Sequence, residues 1–128
     1  MFDSFLEALR IERDSITLFI ERAAQPSARK DIEGAIQMLE SALARGGKIV
    51  VSGIGKSGKV GGKIAATFSS TGSLAVFLHP TEGLHGDLGI VTEKDVVLAL
   101  SNTGNTEELL QLLPSLKSRR VPVVAIVG

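Results

Sequence analysis

The sequence predicts an α/β fold, a three-layer sandwich in which helices cover both faces of a parallel sheet of at least four strands. Four short runs rich in β-branched residues have the character of strands buried on both faces. Helix-compatible segments separate these runs, and such alternation is typical of parallel strands joined by crossover helices. Two amphipathic segments precede the first strand, so the fold should begin with two helices. The length of 128 residues fits one domain.

Residues 1–47 are expected to form the two N-terminal helices. Apolar residues between Phe2 and Ile20 recur at three- and four-residue steps, which predicts a helix to about Ala24. A second helix should begin at Pro26 and end at the glycine pair Gly46–Gly47.

Residues 48–128 are expected to form the sheet core. Its predicted strands are Ile49–Val51, Leu74–Leu78, Val96–Leu100 and Val121–Val127. Helices are predicted over Ser57–Ser69 and Thr106–Lys117, whereas the glycine-rich segment Pro80–Val91 should be irregular. No helix follows the last strand to cover it, so the sequence predicts a single domain that is incomplete at its C-terminus.

Composition excludes several classes of function. Hydrophobic residues make up 44% and charged residues 22%, which is too apolar for a disordered chain, yet no run approaches a membrane span. Lys plus Arg and Asp plus Glu number 14 each, and the only aromatic residues are five Phe, which argues against a nucleic acid partner. The chain has no Cys, and its acidic start does not match a signal peptide, so a cytoplasmic location is expected.

The loop Gly53–Lys59 follows the first strand and leads into a helix, a setting that binds anions. Gly55 and Ser57 are therefore candidate phosphate contacts. The loop also fits G-x-G-x-x-G, but no acidic residue closes the second strand to hold a ribose. It fits G-x-x-x-x-G-K as well, but Val60 stands where a nucleotidase needs a hydroxyl. A purely structural role, a tight turn with close helix packing, stays open.

A second polar loop follows the third strand, at the end of a parallel sheet where ligands bind. Its hydroxyl and amide side chains suit phosphate oxygens: Ser101, Asn102, Thr103 and Thr106. The alternative is helix capping, with Asn105 as N-cap and Glu108 three residues later as its partner.

Both histidines lie in one segment, His79 to Asp87, together with two acidic residues. Their spacing fits no standard metal-binding pattern, so a metal site is only one interpretation. A contact with substrate is the other.

Several motifs together resemble a known family. They are Gly53–Gly58 (GIGKSG), Ala65–Gly72 (AATFSSTG), His79–Pro80, His85–Gly89 (HGDLG) and Ser101–Gly104 (SNTG). In this order they resemble the sugar isomerase (SIS) domain of bacterial arabinose 5-phosphate isomerases, from about Lys48 onward. The resemblance implies a flavodoxin- or Rossmann-like SIS fold.

The resemblance also implies a function, the aldose–ketose isomerisation of D-arabinose 5-phosphate and D-ribulose 5-phosphate in lipopolysaccharide or capsule synthesis. By motif position it implies catalytic roles for Lys56 and Glu108 and substrate contacts at Gly72, Ser73 and His85. It implies no required cofactor, but a divalent metal such as zinc at His79. It further implies a homo-oligomer, a dimer or tetramer, whose site includes a His from a second subunit.

The expected chemistry suits these residue types, because moving a carbonyl between C1 and C2 needs a base and a group that stabilises an enediol oxygen. Glu108 is the predicted base, Glu107 its rival, Lys56 the stabiliser, and His85 a shuttle for the hydroxyl proton.

The chain departs from the family pattern at Asn105, where relatives often have Glu, and it lacks the later Glu and His of the family's catalytic set. Activity of this chain alone is therefore in doubt at this point. A non-catalytic sugar-phosphate sensor is the alternative function.

Overall fold

The helical start of the chain forms a unit of its own in the computed structural model, which describes residues 1–128. Contacts divide the chain into Met1–Ile36 and Gln37–Gly128. The first unit holds helix α1 (Phe2–Ala23) and the beginning of helix α2 (Pro26–Ala44). No residue of α1 is buried, and apolar side chains such as Phe2 and Phe19 are exposed.

The second unit is built on a four-stranded, fully parallel sheet. Its strands are β1 (Ile49–Gly53), β2 (Ala75–Phe77), β3 (Val96–Ser101) and β4 (Val123–Val127), in the order β2-β1-β3-β4. Its helices, besides the end of α2, are α3 (Gly55–Ser70), α4 (Pro80–Leu84) and α5 (Glu107–Ser118), with a 3-10 turn at Asp87–Ile90.

Helices cover both faces of this sheet, as the alternation of strand side chains requires. Ile49 and Val51 face a core shared with Leu39 and Leu43 of α2 and with Ala65 of α3. On the other face, Val50 and Val97 pack with α5 through Leu112 and Leu116. The three-layer α/β architecture predicted from the sequence is confirmed.

Two local predictions were wrong. The segment Pro80–Val91 is not irregular, because it forms α4 and the 3-10 turn, and α4 packs against α5. The N-cap of α5 is Thr106, not Asn105, so Glu108 occupies the second helical position and no capping box forms. The backbone N–H of Asn105 instead donates to Thr103 Oγ1 at 3.2 Å, which closes a local turn.

No helix of the chain is both long and apolar enough to cross a membrane.

Candidate functional site

The strand order places the two polar loops side by side. From the centre of the sheet, β1 connects outward to β2, whereas β3 lies on the other side of β1 and connects to β4. This reversal between β1 and β3 is the switch point at which open α/β sheets bind ligands, outside the carboxyl ends of the strands. Gly53 pairs with Leu100 there, so the loops that follow β1 and β3 start from adjacent positions.

Glycines in the first loop are required by its geometry. Gly55 adopts φ +59°, a conformation that strains other residues. A Cβ on Gly58 would lie 2.7 Å from the Gly53 carbonyl oxygen, and a Cβ on Gly53 would lie 3.1 Å from the backbone of Ser57. The backbone of this loop therefore folds closely onto the start of α3.

Lys56 lies in the first turn of α3, where the helix dipole favours anions and disfavours a cation. The side chain is exposed and forms no ion pair with an acidic residue of this chain. Helix α3 contains no Asp or Glu, while Lys59 and Lys63 add two more exposed cations. An anion near the start of α3 would meet the lysine charge and the free backbone N–H groups together.

The second loop contributes a pair of hydroxyl groups. Ser101 Oγ and Thr106 Oγ1 lie 2.8 Å apart, and Ser101 is only 9% exposed. One hydroxyl donates to the other, and neither forms another hydrogen bond within the chain, so one O–H proton is left without an acceptor. A phosphate oxygen is an acceptor that would use it.

A cleft of about 580 Å³ lies above these strand ends. That volume is within the range of small-molecule sites. The backbone N–H of Gly128 donates to the Asn102 carbonyl oxygen at 3.2 Å and closes one side of it. Its lining combines residues of both loops with the end of β4: Lys56, Ser57, Val60, Leu100, Ser101, Asn102, Ile126, Val127 and Gly128.

The predicted proton-transfer residues do not line this cleft. Glu108 is half-buried in the first turn of α5, at the same edge of the sheet, and makes no hydrogen bond within the chain. Its rival Glu107 is exposed and accepts a hydrogen bond from Gln111 Nε2 at 3.1 Å. His85 is exposed at the end of the short helix α4.

Gly72 and Ser73 lie at the opposite edge of the sheet. They follow the last turn of α3, and the neighbouring Leu74 carbonyl accepts a hydrogen bond from Ile49 at the start of β1. Because α3 has 16 residues, its two ends are about 24 Å apart. Within one chain, Gly72 and Ser73 therefore do not reach the cleft at Lys56.

His79 follows β2 at the carboxyl edge, and its Nδ1 atom is buried without a hydrogen-bond partner. The chain brings together no group of three or more His, Cys, Asp or Glu side chains that could hold a metal ion. The predicted zinc at His79 thus finds no set of ligands within one chain.

Two buried polar residues that stabilise the strands of the sheet below the site were not predicted from the sequence. Ser52 is 1% exposed and donates a 2.7 Å hydrogen bond to the Leu78 carbonyl, joining the carboxyl ends of β1 and β2. At the other edge, Asp95 accepts hydrogen bonds from the backbone and the Nζ of Lys48 and from the Thr92 backbone. A polar residue inside an apolar strand, such as Ser52, was the one available signal.

The pKa of Asp95 is lowered from its ordinary value of 3.8. Burial alone would raise the pKa, but the hydrogen bonds from Lys48 and Thr92 and the positive charge of Lys48 outweigh burial. The ion pair is shielded, since the side chains of Lys48 and Asp95 are 17% and 1% exposed.

The sheet order and the two loops agree with a comparison against protein families. A model described as the SIS domain matches residues 42–128, which is more than half of the chain. The chain belongs to the SIS domain family. The resemblance seen in its motifs is thereby confirmed, and the sheet core is an SIS fold.

Proteins similar in sequence support the same family. The arabinose 5-phosphate isomerase KdsD of Shigella flexneri is 55% identical over 82 residues, 64% of this chain and 25% of the relative. The Pseudomonas aeruginosa protein of that name is 44% identical over 118 residues, 92% of this chain and 34% of the relative. This SIS chain thus spans a quarter to a third of the curated relatives' length.

A solved structure extends the likeness over nearly the whole SIS chain. The protein c3406 of E. coli CFT073, solved in complex with arabinose 5-phosphate, superposes with a TM-score of 0.79 and 37% identity. The match covers 98% of this chain and 64% of c3406. A Bacteroides fragilis protein, assigned as a phosphosugar isomerase involved in capsule formation, superposes with a TM-score of 0.73 and 36% identity, over 91% of this chain and 65% of that protein.

Proposed function

We propose that this SIS chain binds a pentose 5-phosphate in the cleft between the Gly53 and Ser101 loops and catalyses aldose–ketose isomerisation of D-arabinose 5-phosphate and D-ribulose 5-phosphate. The observation that carries the proposal is the meeting of both loops at the switch point of the sheet. Its specific substrate rests on the likeness to KdsD and to c3406.

The phosphate would lie at the start of α3. Lys56 and Ser57 line the cleft, and Gly55 and Gly58 let the backbone approach an anion closely. On the facing side, the Ser101–Thr106 pair has one hydroxyl proton without an acceptor, while Asn102 offers an amide. A dianionic phosphate would also offset the unfavourable interaction of Lys56 with the helix dipole.

Isomerisation needs a base that takes the proton next to the carbonyl and returns it to the neighbouring carbon. Glu108 is the better candidate, since it is half-buried and free of hydrogen bonds, whereas Glu107 is exposed and bonded to Gln111. In the proposal Lys56 stabilises the enediol oxygen and His85 moves the hydroxyl proton.

A binding-only role is the second candidate. The cleft is lined by residues suited to phosphate, whereas Glu108 and His85 do not line it. This separation of binding groups from proton-transfer groups favours a sugar-phosphate-binding SIS domain without turnover by this chain alone.

Matched substitutions separate the two candidates. We expect Glu108→Gln to lower the rate of arabinose 5-phosphate formation from ribulose 5-phosphate by 10²–10⁴-fold, roughly the contribution of a general base. Glu107→Gln, its neighbour, should change the rate less than threefold. Equal losses in both variants would refute the assignment of Glu108. Binding of both sugars by calorimetry with no turnover by the unsubstituted chain would favour the binding-only role.

Phosphate binding is tested by Lys56→Met against Lys63→Met. Both lysines are exposed on α3, but only Lys56 lines the cleft. We expect Lys56→Met to weaken arabinose 5-phosphate binding at least tenfold, and Lys63→Met to weaken it less than twofold. Equal effects would mean that the helix acts through its general positive charge and not through a contact at Lys56.

We further propose a cytoplasmic homo-oligomer, a dimer or tetramer, that acts in lipopolysaccharide synthesis. Gly72 and Ser73 lie about 24 Å from Lys56 along α3, so their predicted contact with substrate requires a second copy of the chain. Light scattering at several concentrations measures the assembly. A monomer at every concentration would remove both residues from the proposed site.

A further inference from the structure

We propose that His79 is not a metal ligand in this chain, and that its imidazole carries a proton on Nε2 and leaves Nδ1 bare. This inference concerns the state of one ring, and it holds whether or not the chain turns over a sugar phosphate. It contradicts the zinc site that the family resemblance implies at the same residue.

The two ring nitrogens of His79 differ in their surroundings. Nδ1 is buried and has no hydrogen-bond partner, whereas Nε2 also lacks a partner but is not buried. A buried polar atom left unpaired costs about 1–3 kcal/mol. In native proteins, buried N–H groups without an acceptor are rarer than under-satisfied acceptors, which favours a bare Nδ1 over a protonated one. The proton therefore belongs on Nε2, where solvent or a ligand can accept the hydrogen bond.

Metal binding requires the opposite arrangement. A zinc ion reaching the accessible Nε2 would need its lone pair, which moves the proton to Nδ1. Histidine ligands almost always donate that second N–H to a carboxylate, a carbonyl or water, and here Nδ1 has no such partner. A metal bound to Nδ1 itself is excluded by the burial of that atom.

The surrounding residues do not supply the rest of a metal site. Nowhere in the chain do three His, Cys, Asp or Glu side chains come together. The other residues of the segment that commonly bind metals, Glu82, His85 and Asp87, are all exposed. Structural zinc sites use four protein ligands and catalytic ones three, so within one copy of this chain His79 lacks the partners that either would require.

The place of His79 is fixed by its neighbours on the sheet. The Leu78 backbone N–H donates to the Val51 carbonyl at 2.9 Å, and the Leu78 carbonyl accepts the buried Ser52 hydroxyl at 2.7 Å. His79 thus leaves β2 next to Gly53, where the first loop begins. It also precedes α4, and its carbonyl accepts the N–H of Gly83 at 3.0 Å.

The state of the ring can be read directly by NMR. The chain has two histidines, so a His85→Gln variant leaves His79 as the only imidazole. In a ¹⁵N-labelled sample at pH 7.5, long-range proton–nitrogen correlations distinguish a protonated ring nitrogen from a bare one. We expect Nε2 to be protonated and Nδ1 to be bare. A protonated Nδ1 would overturn the inference.

Zinc chloride alone is the probe for metal binding. Addition of one equivalent to the His85→Gln variant should leave the His79 nitrogen signals unshifted. By calorimetry, His79→Gln, which keeps a donor N–H, should change the zinc affinity of the chain less than threefold. Shifted His79 signals, or a loss of zinc affinity of 100-fold in His79→Gln, would establish the metal site. Circular dichroism of both variants checks that the fold is kept.

Discussion

The first loop offers a sharp test of the site, because three glycines of α3 allow the same substitution in different surroundings. A Cβ on Gly58 would lie 2.7 Å from the Gly53 carbonyl oxygen, whereas a Cβ on Gly62 would meet no atom within 4 Å. Neither glycine has a positive φ, so alanine fits the backbone conformation at both positions. The variants Gly58→Ala and Gly62→Ala therefore differ in contact alone.

The magnitudes follow from two opposing effects. Replacing glycine by alanine inside a helix stabilises it by about 1 kcal/mol, which Gly62→Ala should gain in full. Gly58→Ala gains the same amount but must move the backbone of Gly53, at a cost of about 1–3 kcal/mol for overpacking. Gly62→Ala should therefore be more stable by about 1–3 kcal/mol, or roughly 4–12 °C in Tm for a domain of this size.

The assay is thermal unfolding of both variants, followed by calorimetric titration with arabinose 5-phosphate. Gly58→Ala shifts the loop at Lys56 and should weaken binding about tenfold, because small displacements of positioning groups are costly. Gly62→Ala should bind like the unsubstituted chain. Gly61→Ala should be intermediate in stability, since its Cβ would meet side chains of β1, β2 and β3 at 3.1–3.3 Å. A Gly58→Ala protein as stable and as tightly binding as Gly62→Ala would refute the loop geometry.

Three further predictions concern stability. Asp95→Asn should cost about 3 kcal/mol in urea unfolding at pH 7, because it leaves Lys48 unpaired. The folded state lowers the pKa of Asp95, so the stabilisation is complete above pH 3.8 and is lost as the pH falls through the lower folded value. The deficit of Asp95→Asn should therefore shrink as the pH falls below 3.8, and an unchanged deficit in acid would contradict the reasoning. Gly55→Ala should lower Tm by about 4 °C, the effect of about 1 kcal/mol of strain at φ +59°, and an unchanged Tm would argue against that conformation. Ser52→Ala should cost about 1–2 kcal/mol in urea unfolding through the lost bond to Leu78, and a neutral result would show that this buried bond is replaced.

The central strands were predictable because a strand buried on both faces leaves a local record, a β-branched run ending in glycine or polar residues. The same expectation was wrong for β4, an edge strand whose residues are half-buried or exposed. The ends of the strands were not predictable to the residue. The last strand begins at Val123 and not at Val121, because Pro122 has no N–H to give to a ladder and only its carbonyl accepts a bond from Val97. The first extends to Gly53, because pairing with Leu100 continues through residues that alone favour a turn.

Interactions between residues far apart in the sequence could not be predicted from it. Lys48 and Asp95 are 47 positions apart, and nothing in the spacing of either residue indicates their ion pair. Asn105 was predicted as the N-cap of α5, but it lies in a local turn in which its backbone N–H donates to the Thr103 hydroxyl. The helix begins one residue later than predicted, at Glu107 with Thr106 as its N-cap.

The candidate site likewise has a part that local sequence patterns predict and a part that depends on distances between elements. Lys56 and Ser57 follow β1, Ser101 ends β3 and Asn102 follows it. Since the carboxyl ends of parallel strands share one edge, the sequence places these four residues together once the strands are parallel. The resemblance of motifs assigned Ser73 to the same ligand, yet a motif contains no distances, and α3 holds Ser73 at the opposite edge of the sheet.

A ligand that contacts both ends of such a helix must be shared between two copies of the chain. Subunit mixing therefore tests whether Ser73 contacts the substrate of a second copy. Alone, Lys56→Met and Ser73→Arg proteins should each bind arabinose 5-phosphate more weakly and turn it over more slowly. They should regain activity when coassembled, because some sites then hold both native residues. If coassembled proteins regain no activity, Ser73 serves no second subunit.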